Sequence, residues 1–411
     1  MEPADGTPRV TTVASAEAGA PPADEVRVDP GRPWFPALDG MRGLAAALVV
    51  VFHVTGAVAR FPAWTWGEGL ARFGNLGVAL FFVLSGFLLT RPFFANHLAD
   101  ERPPQLGRYT VRRLARIVPA YWVALTVWLF VIRDRPPVGG SSAYIWLYGF
   151  AQVYDRRYVD RGGALSVAWT LSIEMSFYLV LPALAWALCR LAARGPLAHR
   201  VRVLALACAA LFVGGSALRW WMWEQGGDWA FRSYSLLGHI GWFGLGMAVA
   251  ALVAGVAAGV PPPRWIRDLA SIPALSLGLA AGVAWLTTLL PLPLPGYPQK
   301  PSEQLVIFVG NGLAGALCLL PLVFGDQTDG PVRAVFSSGP ARWLGQISFG
   351  LYLWHTPILS VVNEWVADDR VPGSAPARLA IVAVLSLAAA QLSWVVVERP
   401  ALALANRVTS R

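Results

Sequence analysis

The chain has 411 residues, of which 56% are hydrophobic and only 14% charged, whereas a soluble domain carries nearer a quarter charged residues. Its net charge of +9 comes almost wholly from arginine, and the arginines stand in short loops between apolar runs. Membrane topology explains that pattern better than nucleic-acid binding, so no nucleic-acid partner is expected.

Residues 1–33 are rich in Ala, Pro, Asp and Glu without an apolar run, which predicts a disordered tail. No signal-peptide core stands there, so the first span is expected to direct insertion. Apolar runs of about spanning length then recur to the end of the chain. Ten spans are predicted, near 43–60, 74–95, 117–132, 169–190, 201–222, 235–256, 270–291, 304–325, 346–366 and 377–397. The expectation is an all-α polytopic membrane helix bundle, with a membrane domain over 34–400 and a short tail at 401–411.

Arginine placement sets the orientation. With the N-terminus inside, segment 91–116 holds six arginines, and the later inner segments hold two or three each. Outer segments 61–73, 223–234, 292–303 and 367–376 hold one basic residue apiece. That asymmetry obeys the positive-inside rule and puts both termini on the cytoplasmic side of the cell membrane. Segment 133–168 departs from the trend with five arginines, and its apolar stretch at 144–153 is too short to cross. It reads as a re-entrant or interfacial piece, bracketed by Gly/Pro turns at 136–140 and 161–163.

Arg42 and His53 are eleven residues apart, about 16 Å of helical rise, and share a helix face. A histidine that deep faces a partner or a cavity by default, and a structural histidine bonded between helices is the plain alternative. His355 lies at a matching depth, so the two histidines can meet. His239 sits near the outer end of its span and reads as a rim residue. Glu174 is a carboxyl within a span, where it needs a partner; an ion pair with arginine would be purely structural. Arg112, Arg113 and Arg116 fall three and four apart before the third span. On a helix they form a guanidinium cluster suited to phosphate, or they serve topology alone. No Gly-rich nucleotide loop accompanies them. Ser85, in FFVLSGF, lacks a nucleophile elbow and reads as a small residue at a helix contact. Cys189, Cys208 and Cys318 lie in apolar runs with no metal-ligand spacing, so neither metal nor disulfide is expected.

Five motifs occur in order: LDGMRGL at 38–44 with His53, FFVLSGFL at 81–88, RRLARIVPAY at 112–121, WTLSIEMSFY at 169–178 and SFGLYLWHTP at 348–357. Together they resemble the integral-membrane acyltransferase family three, over about residues 34–400. The family implies O-acylation of polysaccharide, lipopolysaccharide, peptidoglycan or glycosylated antibiotics, with acyl-CoA (acetyl-CoA above all) as donor substrate and no bound cofactor. Carried over, His53 and Glu174 are the catalytic candidates, and Arg42, Arg113 and Arg116 the donor-binding ones, which Arg112 joins on the phosphate reading of the cluster. Ser85, Tyr178, His239, Tyr352 and His355 are acceptor or supporting candidates. The family's second acid is replaced here by Met175. Buried ionisable groups in ten spans also suit a proton-coupled transporter, the rival class.

Overall fold

The computed structural model describes residues 35–58, 69, 72–132, 141–155, 157, 163–289, 300–325 and 330–409. The expected N-terminal tail and the turn residues 136–140 and 161–162 lie outside them. From Pro36 onward the chain forms one compact unit, and the described residues hold helices and no strand.

Among the described residues sixteen α-helices follow in chain order. The first four are α1 (Ala37–Val58), α2 (Leu76–Leu98), α3 (Leu106–Val127) and the short α4 (Ser141–Tyr148). Next come α5 (Trp169–Leu191), α6 (Leu197–Gln225), α7 (Gly227–Arg232) and α8 (Leu236–Ala257). Then follow α9 (Arg264–Ser271), α10 (Pro273–Leu289), α11 (Pro301–Val323) and α12 (Pro331–Phe336). The last are α13 (Gly339–Gln346), α14 (Ser348–Ala367), α15 (Ala375–Ser393) and α16 (Arg399–Thr409).

Eight of the described helical segments are long and apolar enough to cross a membrane, and a ninth arises if the bent pair α9–α10 counts as one span. The tenth expected span is α14, which falls short of that apolarity. Its Tyr352, His355, Thr356, Asn363 and Glu364 dilute the apolar residues, and most of its first half is buried inside the bundle. The expected span 270–291 is preceded by a helical turn set at 98° to it. That first piece, α9, exposes Trp265 and buries Ile266 and Ala270, as an in-plane amphipathic helix does.

The third span starts earlier than predicted. Helical backbone runs unbroken from Leu106 to Ile132, its last five residues as a π-helical turn. Arginine is a good helix former, and its long stem carries charge away from an apolar helix. The arginine cluster therefore lies on the span itself and not in a loop. The 144–153 stretch does not cross, as expected: α4 has eight residues. The Tyr121 hydroxyl donates to the Leu147 carbonyl at 2.8 Å, and Trp122 Nε1 donates to the Tyr148 carbonyl at 3.0 Å. These bonds tie α4 to α3.

Two packings position the polar core. In the first, Ala46, Val50 and Val54 form an i, i+4 stripe on α1 against Ile347, Leu351, Leu359 and Val362 at α14, with Val382 and Ala390 of α15 behind. In the second, α2 and α8 touch at their backbones: a Cβ on Gly86 would overlap the Phe243 carbonyl, and one on Gly246 the Val83 carbonyl. Such close approach is how membrane helices gain packing without a hydrophobic driving force. Phe243 stacks between Phe82 and Phe177, at centroid distances of 4.8 and 4.0 Å. That stack holds α5 on the same pair.

Candidate active site

His53 and His355 meet. Their rings are 5.0 Å apart, and His53 Nδ1 lies 3.2 Å from His355 Nε2. The α1–α14 packing explains the encounter, since His53 precedes Val54 and His355 lies four residues from both Leu351 and Leu359. His53 Nδ1 also lies 2.9 Å from the Val49 carbonyl, and His355 Nδ1 3.2 Å from the Leu351 carbonyl. His355 is fully buried, and His53 half-buried.

Tyr352 stands one turn before His355. Its hydroxyl donates to the Val167 carbonyl at 2.6 Å and lies 2.6 Å from the Thr170 hydroxyl. Those partners belong to the 3-10 turn Gly163–Ala168 and the start of α5. Tyr352 thus fastens the histidine helix to the helix that carries Glu174.

Glu174 does not bond to His53. Its Oε1 accepts from the Ser85 hydroxyl at 2.8 Å and from the Tyr178 hydroxyl at 2.7 Å. Of the two roles open to Glu174, orienting His53 or orienting the acceptor, the first has no hydrogen bond behind it here: the polar partner of His53 from another helix is His355. Ser85 is a carboxyl partner, and the close helix contact expected of it falls to Gly86 beside it. The Tyr178 bond was legible as an i, i+4 spacing; the Ser85 bond spans 89 residues of sequence and was not.

Tyr178 links this cluster to the arginines. Its carbonyl accepts from the Tyr109 hydroxyl at 3.4 Å, and Arg113 and Arg116 both act electrostatically on its ring hydroxyl. Both are half-buried, whereas Arg112 is exposed. The cluster therefore divides, with two guanidiniums turned toward the bundle and one turned away. Among the described residues neither Arg113 nor Arg116 donates a hydrogen bond to the protein. Arg116 also acts on Asp39, together with Arg342, and Asp39 lies 3.9 Å from Arg42. Arg42, Arg113 and Arg116 thus gather at the bundle end where α1 and α3 begin.

His239 is not a rim residue. It is 1% exposed and ringed by Phe82, Trp169, Trp242 and Phe308. Its Nε2 lies 3.5 Å from Nη1 of Arg219, a buried cation that sequence reasoning passed over. Arg219 donates to the carbonyls of Ser233 and Gly238, at 2.8 and 3.4 Å, and to Gln304 at 3.4 Å. It caps the turn that leads into α8. A lone arginine near the end of an otherwise apolar run was the available signal. Glu398 was also passed over; it is 3% exposed, on a π-helical turn, and accepts from Ser393 at 3.0 Å. Glutamate close to the end of the last span was its signal.

The helical membrane bundle thus brings together a histidine pair, a caged carboxyl and, at one end, guanidiniums that donate to no protein group among the described residues, a candidate site for acid–base chemistry on an anionic substrate. The chain belongs to the acyltransferase family: the family model described as an acyltransferase domain matches residues 35–395. It is 30% identical over 387 residues to the putative membrane-bound transacylase BcsY of Komagataeibacter xylinus, covering 90% of this chain and 83% of that one. It is 26% identical over 392 residues to the peptidoglycan O-acetyltransferase OatA of Listeria monocytogenes, covering 90% of this chain but 56% of OatA. The putative peptidoglycan O-acetyltransferase YrhL of Bacillus subtilis is 25% identical over 391 residues, again with little over half its length covered, 55%. No solved structure matches. The protein is a polytopic membrane acyltransferase.

Proposed function

We propose that this acyltransferase moves an acyl group, most simply acetyl, from acyl-CoA to a hydroxyl of a carbohydrate or glycosylated acceptor. The observation that carries the donor assignment is the Arg113–Arg116 pair. Two half-buried guanidiniums without a protein hydrogen bond invite an anion, and guanidinium forks match phosphate oxygens. The phosphates of CoA stay at the aqueous end, with Arg42 beside them, while the pantetheine arm carries the thioester inward. In this reading the arginine-rich end faces the cytoplasm, both termini lie on that side, and the membrane is the cell membrane. O-acetylation of a glycan is the activity printed in the names of OatA and YrhL, which supports a hydroxyl acceptor here.

His53 is the general base. It removes the acceptor proton as the hydroxyl oxygen attacks the thioester carbon; the C–O bond forms, the C–S bond breaks, and the proton passes from His53 to the departing thiolate. Glu174, held by Ser85 and Tyr178, positions the acceptor and not the base.

The test is CoA release from acetyl-CoA by purified protein in detergent, with and without a glycan acceptor. Release that needs the acceptor, and is lost in folded His53→Ala, supports the reading. Full release in His53→Ala overturns the assignment of the base. Failure of any acyl-CoA to bind overturns that of the donor.

A further inference from the structure

The histidine contacts fix where the protons sit. A carbonyl oxygen only accepts, so His355 Nδ1, 3.2 Å from the Leu351 carbonyl, carries a hydrogen. By the same rule His53 Nδ1, 2.9 Å from the Val49 carbonyl, carries one. The 3.2 Å contact between His53 Nδ1 and His355 Nε2 then needs a bare lone pair on His355. His355 is neutral, and the His53 N–H is shared between the Val49 carbonyl and His355 Nε2. A neutral imidazole holds one N–H. The lone pair of His53 is therefore on Nε2, which no described protein group engages.

We propose that His355 is a positioning residue that, together with the Val49 carbonyl, holds His53 in its Nδ1–H tautomer and so presents Nε2 as the proton acceptor. The proposal rests on the reading of His53 as base. Two features favour it over a merely structural contact. His355 is 0% exposed while its partner is half-buried, so the supporting ring is shut away and the reacting ring is not. The support is also uncharged. In the proton transfer, the acceptor O–H proton moves to His53 Nε2 and makes an imidazolium. Its Nδ1–H bond to His355 Nε2 then becomes charge-assisted and stronger. A carboxylate in this place would do the same work, but as an anion buried among apolar helices. A second imidazole stabilises the cation only when it forms.

The experiment is 15N NMR of histidine-labelled full-length protein, in which only five histidines contribute, with His53 assigned by its loss in His53→Asn. Expected for the resting protein is a protonated-type shift at His53 Nδ1 and a bare-type shift at Nε2. In His355→Leu only the Val49 carbonyl still holds Nδ1–H, so the Nε2–H tautomer gains population, and kcat falls about tenfold or more, as for one lost charge-assisted hydrogen bond, with KM for acyl-CoA unchanged. His355→Gln, whose amide oxygen accepts from His53, recovers part of kcat and of the tautomer. A resting His53 protonated at Nε2 overturns the proposal without any variant. So does a fall of kcat in His355→Leu with the tautomer unmoved, because His355 then acts through packing alone. Full turnover in His53→Ala overturns the base reading and this proposal together, and is distinguished by being seen without NMR.

Discussion

The two inward arginines are the sharpest test of how the donor is held. Arg113→Ala and Arg116→Ala each remove a half-buried guanidinium that has no protein hydrogen bond to lose, so stability should hardly change. A charge-assisted contact to phosphate contributes about 1.5–3 kcal/mol. Half-burial leaves some solvent screening, which favours the lower end of that range. About 1.5–2 kcal/mol is a rise in Kd for acyl-CoA of roughly 10- to 30-fold per substitution. Lysine at either position should recover only part, since a fork becomes a point charge. Arg112→Ala is the internal control, because it is adjacent in sequence and of the same charge but exposed and turned away. Calorimetry of acyl-CoA binding to the purified variants gives the answer. If Arg112→Ala weakens binding as much as the other two, the cluster acts as a diffuse field and the inward pair is no site. If none weakens it, the donor enters elsewhere. Arg333 would mislead as a control, because it is buried and donates to the Pro321 and Phe324 carbonyls at 2.8 and 2.7 Å.

Gly86→Ala and Gly246→Ala should each lower the thermal midpoint in detergent, at a cost of about 1–3 kcal/mol for overpacking. Gly278→Ala, on α10 with open space at its Cβ, should be neutral or stabilising, and equal midpoints for all three would refute the backbone contact. Ser85→Ala and Tyr178→Phe each take one donor from Glu174. Turnover should fall in both, with the double variant less than additive if the carboxyl acts as one unit; a fully additive loss would separate the two residues. Single cysteines at Gln105 and Ser142 in a background without Cys189, Cys208 and Cys318 should label from opposite sides, because the helix of α3 lies between them; labelling from one side would mean that it does not cross. Arg200, 2.9 Å from Asp100, holds that exposed carboxylate below its usual range. This contribution is present above the ordinary carboxylate range and is lost as pH falls through the lowered value. The gap in thermal midpoint between wild type and Arg200→Gln should therefore close in acid, and a gap that persists there would assign Arg200 to its His97 carbonyl bond alone.

Residues related by short spacing were legible in the sequence, and those related only by the fold were not. The eleven-residue interval from Arg42 to His53, together with the depth of His355, was enough to bring the histidines to one level. The arginine triplet was also visible, but its division was not, because sequence alone does not say which side of α3 faces the bundle. The Ser85–Glu174 bond depends on α2 lying against α5, and no local pattern encodes that. Arg219 and Glu398 escaped because each sits near the end of a span, where a charge normally marks a boundary; only the turn into α8 and the π-helical turn after α15 draw them inside. The start of α3 was set too late for a similar reason, since a run of arginines was taken to lie before a helix whose first turns it in fact occupies.

The polarity of α14 bears on how the protein is made. A segment with so many hydrogen-bonding side chains partitions weakly into lipid by itself, and its apolar partners on α1 are synthesised about three hundred residues earlier. Entry of α14 must therefore await a bundle already waiting to receive it, with α15 following to close the far side. The histidine pair is then completed only after α14 has left the ribosome. On the proposed reading, a chain that stops short of α14 would hold the arginines and the carboxyl without the second histidine, and synthesis itself would delay thioester chemistry until the surrounding helices can contain it.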